Sequence, residues 1–95
     1  MKKKQTLKYL IVKGAKYKIR IDPAHETVLG ECFKREKIIS IAKNTKEEMQ
    51  KTLLHEAIHA TLAETGLDMV MTGELEELIC INVEDVIWDN FFKKR

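Results

Sequence analysis

Polar and apolar residues alternate over residues 16–21, with Tyr17, Ile19 and Ile21 on one side and Lys16, Lys18 and Arg20 on the other. A period of two predicts a half-buried β-strand. Residues 6–12 read as a preceding strand, and Lys13-Gly14-Ala15 between the two predicts a hairpin. Asp22-Pro23-Ala24-His25 then breaks the pattern. Residues 27–33 predict a short strand around Gly30. Residues 36–42 predict a firmer one, with Ile39 and Ile41 facing one way and Ile38 the other. At residue 46 the period changes, and residues 46–65 predict a long helix. Asn44 and Thr45 can each cap its start, with Glu47 and Glu48 three residues on, and Gly66 suits its end. Residues 67–72 predict a loop whose exposed-looking Met69 and Met71 either line a substrate groove or, the favoured reading, pack beneath it. A second helix is expected from Gly73 or Glu74 to about residue 92, where Lys93-Lys94-Arg95 suits a helix C-terminus. Four short strands followed by two helices predict an α+β fold, a small antiparallel or mixed sheet packed on the first helix.

Composition narrows the classes without naming one. Ninety-five residues with 44% hydrophobic content make a single domain over residues 1–95 with one small core. Seventeen basic and 15 acidic residues nearly balance, which predicts no nucleic-acid and no membrane partner. Lys8 and Lys13 interrupt the apolar residues that follow the basic start, so no signal-peptide core forms, and no run approaches transmembrane length. The expected location is the cytoplasm. Cys32 and Cys80 lack metal-type spacing and read as free thiols, Cys80 buried. Trp88, Phe91 and Phe92 suit a core or a helix–helix interface equally, so oligomeric state is left open.

The candidate chemistry lies in His55-Glu56-Ala57-Ile58-His59, inside the first predicted helix. Residues four apart share a helix face, so both imidazoles can hold one zinc ion. Glu56 can then take a proton from a zinc-bound water and act as general base. Shuffling this composition yields the pattern in about one chain in a hundred. The helical context adds weight, because two His and a Glu on an otherwise apolar helix are costly to bury without partners. His25, in a loop, reads as a polar surface residue rather than an additional ligand.

A catalytic zinc usually takes a third protein ligand. No His follows His59, and Leu62 and Thr65 stand where an extended motif would need Gly and His. A carboxylate of the second helix is the alternative, with Glu74, Glu76, Glu77 and Glu84 competing. At 100° per residue Glu76 shares an arc with Ile79, Cys80, Val83 and Ile87, whereas Glu77 and Glu84 lie with Ile81 and Trp88. An acid on the apolar side needs a partner, which favours Glu76, with Glu77 the runner-up.

The segments Lys37-Ile38-Ile39-Ser40-Ile41, Thr52-Leu53-Leu54-His55-Glu56-Ala57-Ile58-His59-Ala60 and Glu76-Glu77-Leu78-Ile79-Cys80 together resemble small phage and mobile-element gluzincin-type zinc metallopeptidases, similar to the ImmA/IrrE and minigluzincin groups. The resemblance covers about residues 28–92. It implies a three- or four-stranded sheet on the zinc helix, a Glu as third ligand, and a protein or peptide substrate. It also implies that the strand ending near Ala42 borders the cleft and pairs with an extended substrate. Larger relatives of that type carry a His or Tyr downstream that stabilises the oxyanion. None follows His59, and only Tyr9, Tyr17 and His25 stand in reserve. The expected activity is therefore zinc-dependent peptide-bond hydrolysis. The alternatives are a zinc-stabilised protein-binding module without efficient hydrolysis and, third, an α+β adaptor without metal.

Overall fold

The computed structural model describes residues 8–93. Four strands, β1 (Tyr9–Val12), β2 (Ala15–Asp22), β3 (Gly30–Phe33) and β4 (Ile38–Ala42), precede two helices, α1 (Lys46–Thr65) and α2 (Gly73–Ile87). A 3₁₀ turn (Leu67–Val70) joins the helices, and a π turn (Trp88–Phe92) extends the second. The chain is α+β, as the pattern predicts. Each strand except β2 starts two or three residues later than expected, and residues 6 and 7 of the first predicted strand lie outside the described residues.

The β1–β2 hairpin closes on Lys13 and Gly14, whose φ angles of 49° and 86° are both positive. A two-residue loop with that handedness matches the right-handed twist of the strands it joins. The sheet is mixed, in the order β1-β2-β4-β3. β2 and β4 are parallel, while β1 and β3 are antiparallel to their neighbours. β4 is therefore bonded on both sides and offers no edge to a substrate. That expectation is corrected: β1 and β3 are the edge strands, and it is β3 that borders the cleft. Local pattern could not reveal this, because the chain passes from β2 to the edge before returning to fill the position beside β2.

Val12, Tyr17, Ile39, Ile41 and Ala60 form the core, with Leu10, Ile19, Met49 and Leu53 packed on it. Ile39 and Ile41 face α1, as their alternation predicts. Ile21 is exposed despite sharing the pattern of Tyr17, since β1 pairs with β2 only as far as Lys18. Thr45 caps α1 by accepting a hydrogen bond from the Glu48 amide, and Gly66 ends it in the left-handed region at φ 83°. The segment after Gly66 differs from its prediction: it is a 3₁₀ turn, and Met69 is 84% exposed rather than packed beneath it.

Gly30 sets the distance between sheet and helix. A Cβ there would lie 2.4 Å from Thr52 Cγ2 and 3.3 Å from Glu56 Cγ. The missing side chain lets the Thr52–Glu56 face of α1 rest against β3.

Candidate metal centre

α1 and α2 run antiparallel, so two rungs form between them. His55 Nδ1 lies 2.8 Å from Glu84 Oε1, and His59 Nδ1 lies 2.6 Å from Glu76 Oε2. An ionised carboxylate only accepts, so each Nδ1 carries the proton and donates it. Both Nε2 atoms point to a third carboxylate: His55 Nε2 is 3.2 Å from Glu77 Oε2, and His59 Nε2 is 3.0 Å from Glu77 Oε1. A neutral imidazole with its proton on Nδ1 has a bare lone pair on Nε2. With both rings neutral, two nitrogen lone pairs face two carboxylate oxygens, an arrangement that needs a cation between them; with both rings protonated, each Nε2 instead donates to Glu77 as each Nδ1 does to its own carboxylate.

Helix phase explains why α2 turns two of these acids, Glu76 and Glu84, inward. Glu76, Cys80 and Trp88 are buried, the Glu84 side chain is only 16% exposed, and all four fall at intervals of four. Val83, expected on that face beside Glu76, is exposed instead. Glu76 is thus inward, as predicted, but it holds the far side of His59. It also accepts from Lys34 Nζ at 3.0 Å, and Lys34 reaches Asp68 Oδ2 at 3.0 Å. Burial raises the Glu76 pKa, but hydrogen bonds from His59 and Lys34 outweigh it and hold the group below the usual carboxylate range.

Glu56 is 93% buried against β3, as its 7% exposure shows, and no described residue hydrogen-bonds its carboxylate. Burial pushes its pKa up, against the pull of His59 and His55. It opens on a cleft of about 760 Å³ whose walls include residues 27–32 of the edge strand and its approach, His55, His59, Glu76 and Glu77.

A second donor set shares the histidines. One ring nitrogen from each and Cys80 Sγ lie within 4.8 Å of one another. Cys80 is fully buried and does not line the cleft. Its thiol is pushed up to about 12, first by burial and then by Glu77 and Glu76. Glu77 is open to the cleft, whereas Cys80 is not. Spacing did not point to Cys80, since it meets the histidines only through helix packing.

The remaining candidates lie elsewhere. Tyr17 donates to Glu64 at 2.6 Å from within the core. His25 Nδ1 accepts from the Thr27 and Val28 amides at 3.2 and 3.0 Å and shapes the loop before β3. Neither they nor Tyr9 line the cleft, whose cationic side chains are Lys34 and Lys51. Lys34 was not anticipated. A lysine in a turn carries no sequence signal until the fold brings it to Glu76. Among the described residues no helix is long and apolar enough to cross a membrane. No family model, curated protein or solved structure matches this chain.

Proposed function

We propose that this chain is a zinc-dependent hydrolase acting on peptide bonds, with His55, His59 and Glu77 as the metal ligands and Glu56 as general base. The observation that carries the reading is the convergence of both Nε2 atoms on one carboxylate, that of Glu77. Their N···O separations of 3.0 and 3.2 Å approach the spacing of about 3.3 Å between two ligands held tetrahedrally by zinc. The two Nδ1–H groups are already spent on Glu84 and Glu76, the outer-shell partners that fix ligand histidines in one tautomer. Glu76, first choice on helix phase, thus becomes a supporting residue, and Glu77 takes the ligand role.

Zinc supplies Lewis acidity and makes a neighbouring water easier to deprotonate. Glu56 has no hydrogen bond to give up and a raised pKa, which suits it to take that proton and return it to the leaving nitrogen. The cleft runs along the free edge of β3. Unpaired amides and carbonyls there can hold an extended peptide by strand addition.

A second reading has one observation in its favour. Among the described residues no Tyr and no third His lines the cleft, so an oxyanion donor of the usual kind is missing. The site would then hold a structural zinc in a protein-binding module.

Zinc per chain in untagged protein purified without added metal tests the first step. One zinc, lost in His55→Ala, is expected. Hydrolysis of a mixed peptide library should vanish in Glu56→Gln while zinc stays. Turnover unchanged in that variant removes the proposed base, and no turnover in a wild type that holds zinc favours the structural role.

A further inference from the structure

The geometry points to Lys34 as a positioning residue of the metal centre: we infer that it holds Glu76 in its supporting role and so leaves the ligand position to Glu77. This rests on the zinc reading above. Asp68, Lys34, Glu76 and His59 form one continuous chain of polar contacts. The ammonium meets Asp68 Oδ2 and Glu76 Oε2, each at 3.0 Å, and the same Glu76 oxygen takes the His59 Nδ1 proton at 2.6 Å. The four residues come from the 3₁₀ turn, the turn after β3, the first turn of α2 and the middle of α1. Three pieces of chain are thereby tied to one metal-facing imidazole.

Glu76 and Glu77 are neighbours at the start of α2, and each has a carboxylate within reach of His59. What separates them is the ammonium. Glu76 Oε2 accepts from two donors, and its side chain is 10% exposed. Among the described residues Glu77 pairs only with the two imidazoles, and its side chain is 51% exposed. A carboxylate held by two charge-assisted hydrogen bonds resists being drawn to a metal, whereas one without a cationic partner gains most from it. Without Lys34, Glu76 would be a buried anion beside Glu77 and would compete for the metal or leave His59 unsupported.

Lys34→Met removes the charge and keeps most of the stem. Three readouts apply to the untagged full chain: zinc affinity by chelator competition, the melting temperature of the metal-free protein, and the ring ¹⁵N shifts of His55 and His59 without metal. Zinc affinity should fall about 10–100-fold, the range seen when an outer-shell partner is lost. The His59 ring signals should move toward mixed tautomers while those of His55 stay. Lys34→Arg, which keeps the charge and the donors, should restore the His59 signals and most of the affinity. If Lys34→Met does not fold, Asp68→Asn loosens the same ammonium from its far end and should shift His59 in the same direction by less. Unmoved His59 signals in the folded variant, or zinc bound as tightly as by wild type, overturn the inference. A wild type that binds no zinc overturns the zinc reading, and the His59 signals of the metal-free protein still decide the role of Lys34.

Discussion

Glu56, the proposed base, shows how burying an ionisable group opposes stability at a single residue. Its burial against Gly30 raises its pKa above the ordinary 4.5. A raised carboxyl means that the folded chain holds the proton more tightly than the unfolded one. Its contribution to stability is then fully present below about pH 4.5 and is lost as pH rises through the folded value. At neutral pH the ionised group is a cost that a base in a dry position must carry. Glu56→Gln should accordingly raise the melting temperature of the metal-free protein at pH 7. The gain should shrink to nothing near pH 4. Melts of both proteins across that range check it, and a gain that is constant with pH would mean that the carboxylate is not desolvated.

At the level of elements, α1 is pressed against the sheet by an absence, the missing Cβ of Gly30. Gly30→Ala would place a carbon 2.4 Å from Thr52 Cγ2 and 3.0 Å from the Ser40 carbonyl oxygen. Overpacking of this kind costs about 1–3 kcal/mol, or roughly 5–15 °C in melting temperature. Thr52→Ala in the same chain should recover part of it, because it removes the nearer clash. A melt unchanged by Gly30→Ala would show that α1 stands away from β3. α2 is built the other way round from an ordinary packed helix. It turns Glu76, Cys80, Glu84 and Trp88 inward and leaves Leu75, Leu78 and Val86 exposed. The face α1 offers it carries two imidazoles, so carboxylates are what complement it. Trp88 closes the far end, stacked on Phe92 at 5.2 Å with the Lys51 ammonium 5.5 Å from its ring centroid.

For the whole molecule, zinc held as proposed would link the metal to the fold. The two histidines and Glu77 come from separate helices whose shared surface is largely polar. A ligand that binds only the folded state stabilises it by about 2.7 kcal/mol at a hundred times its dissociation constant. For a domain of this length that is roughly 10–20 °C. Zinc should therefore raise the melting temperature by that order, EDTA should reverse the rise, and His55→Ala should abolish it. Equal melting temperatures with zinc and with EDTA would mean that no metal bridges α1 and α2.

Local patterns in the sequence were enough for the strands, for α1 with a cap at Asn44 or Thr45 and its end at Gly66, and for His55, Glu56 and His59 on one helix. Each of these depends on residues within a few positions of one another, where backbone geometry and side-chain period act directly. Sequence order alone could not set β3 at the edge and β4 inside, because strand pairing is decided between segments. Nor could it separate Glu76 from Glu77. They differ by 100° of helix rotation, and their different contacts, Glu76 with His59 Nδ1 and with Lys34 42 residues away and Glu77 with both Nε2 atoms, follow from how α2 docks. The pairing of His25 with its own loop, and of Tyr17 with Glu64, were likewise settled only by folding. Chemistry carried by neighbouring residues was legible along the chain, whereas the support that orients it comes from distant residues and exists only in three dimensions.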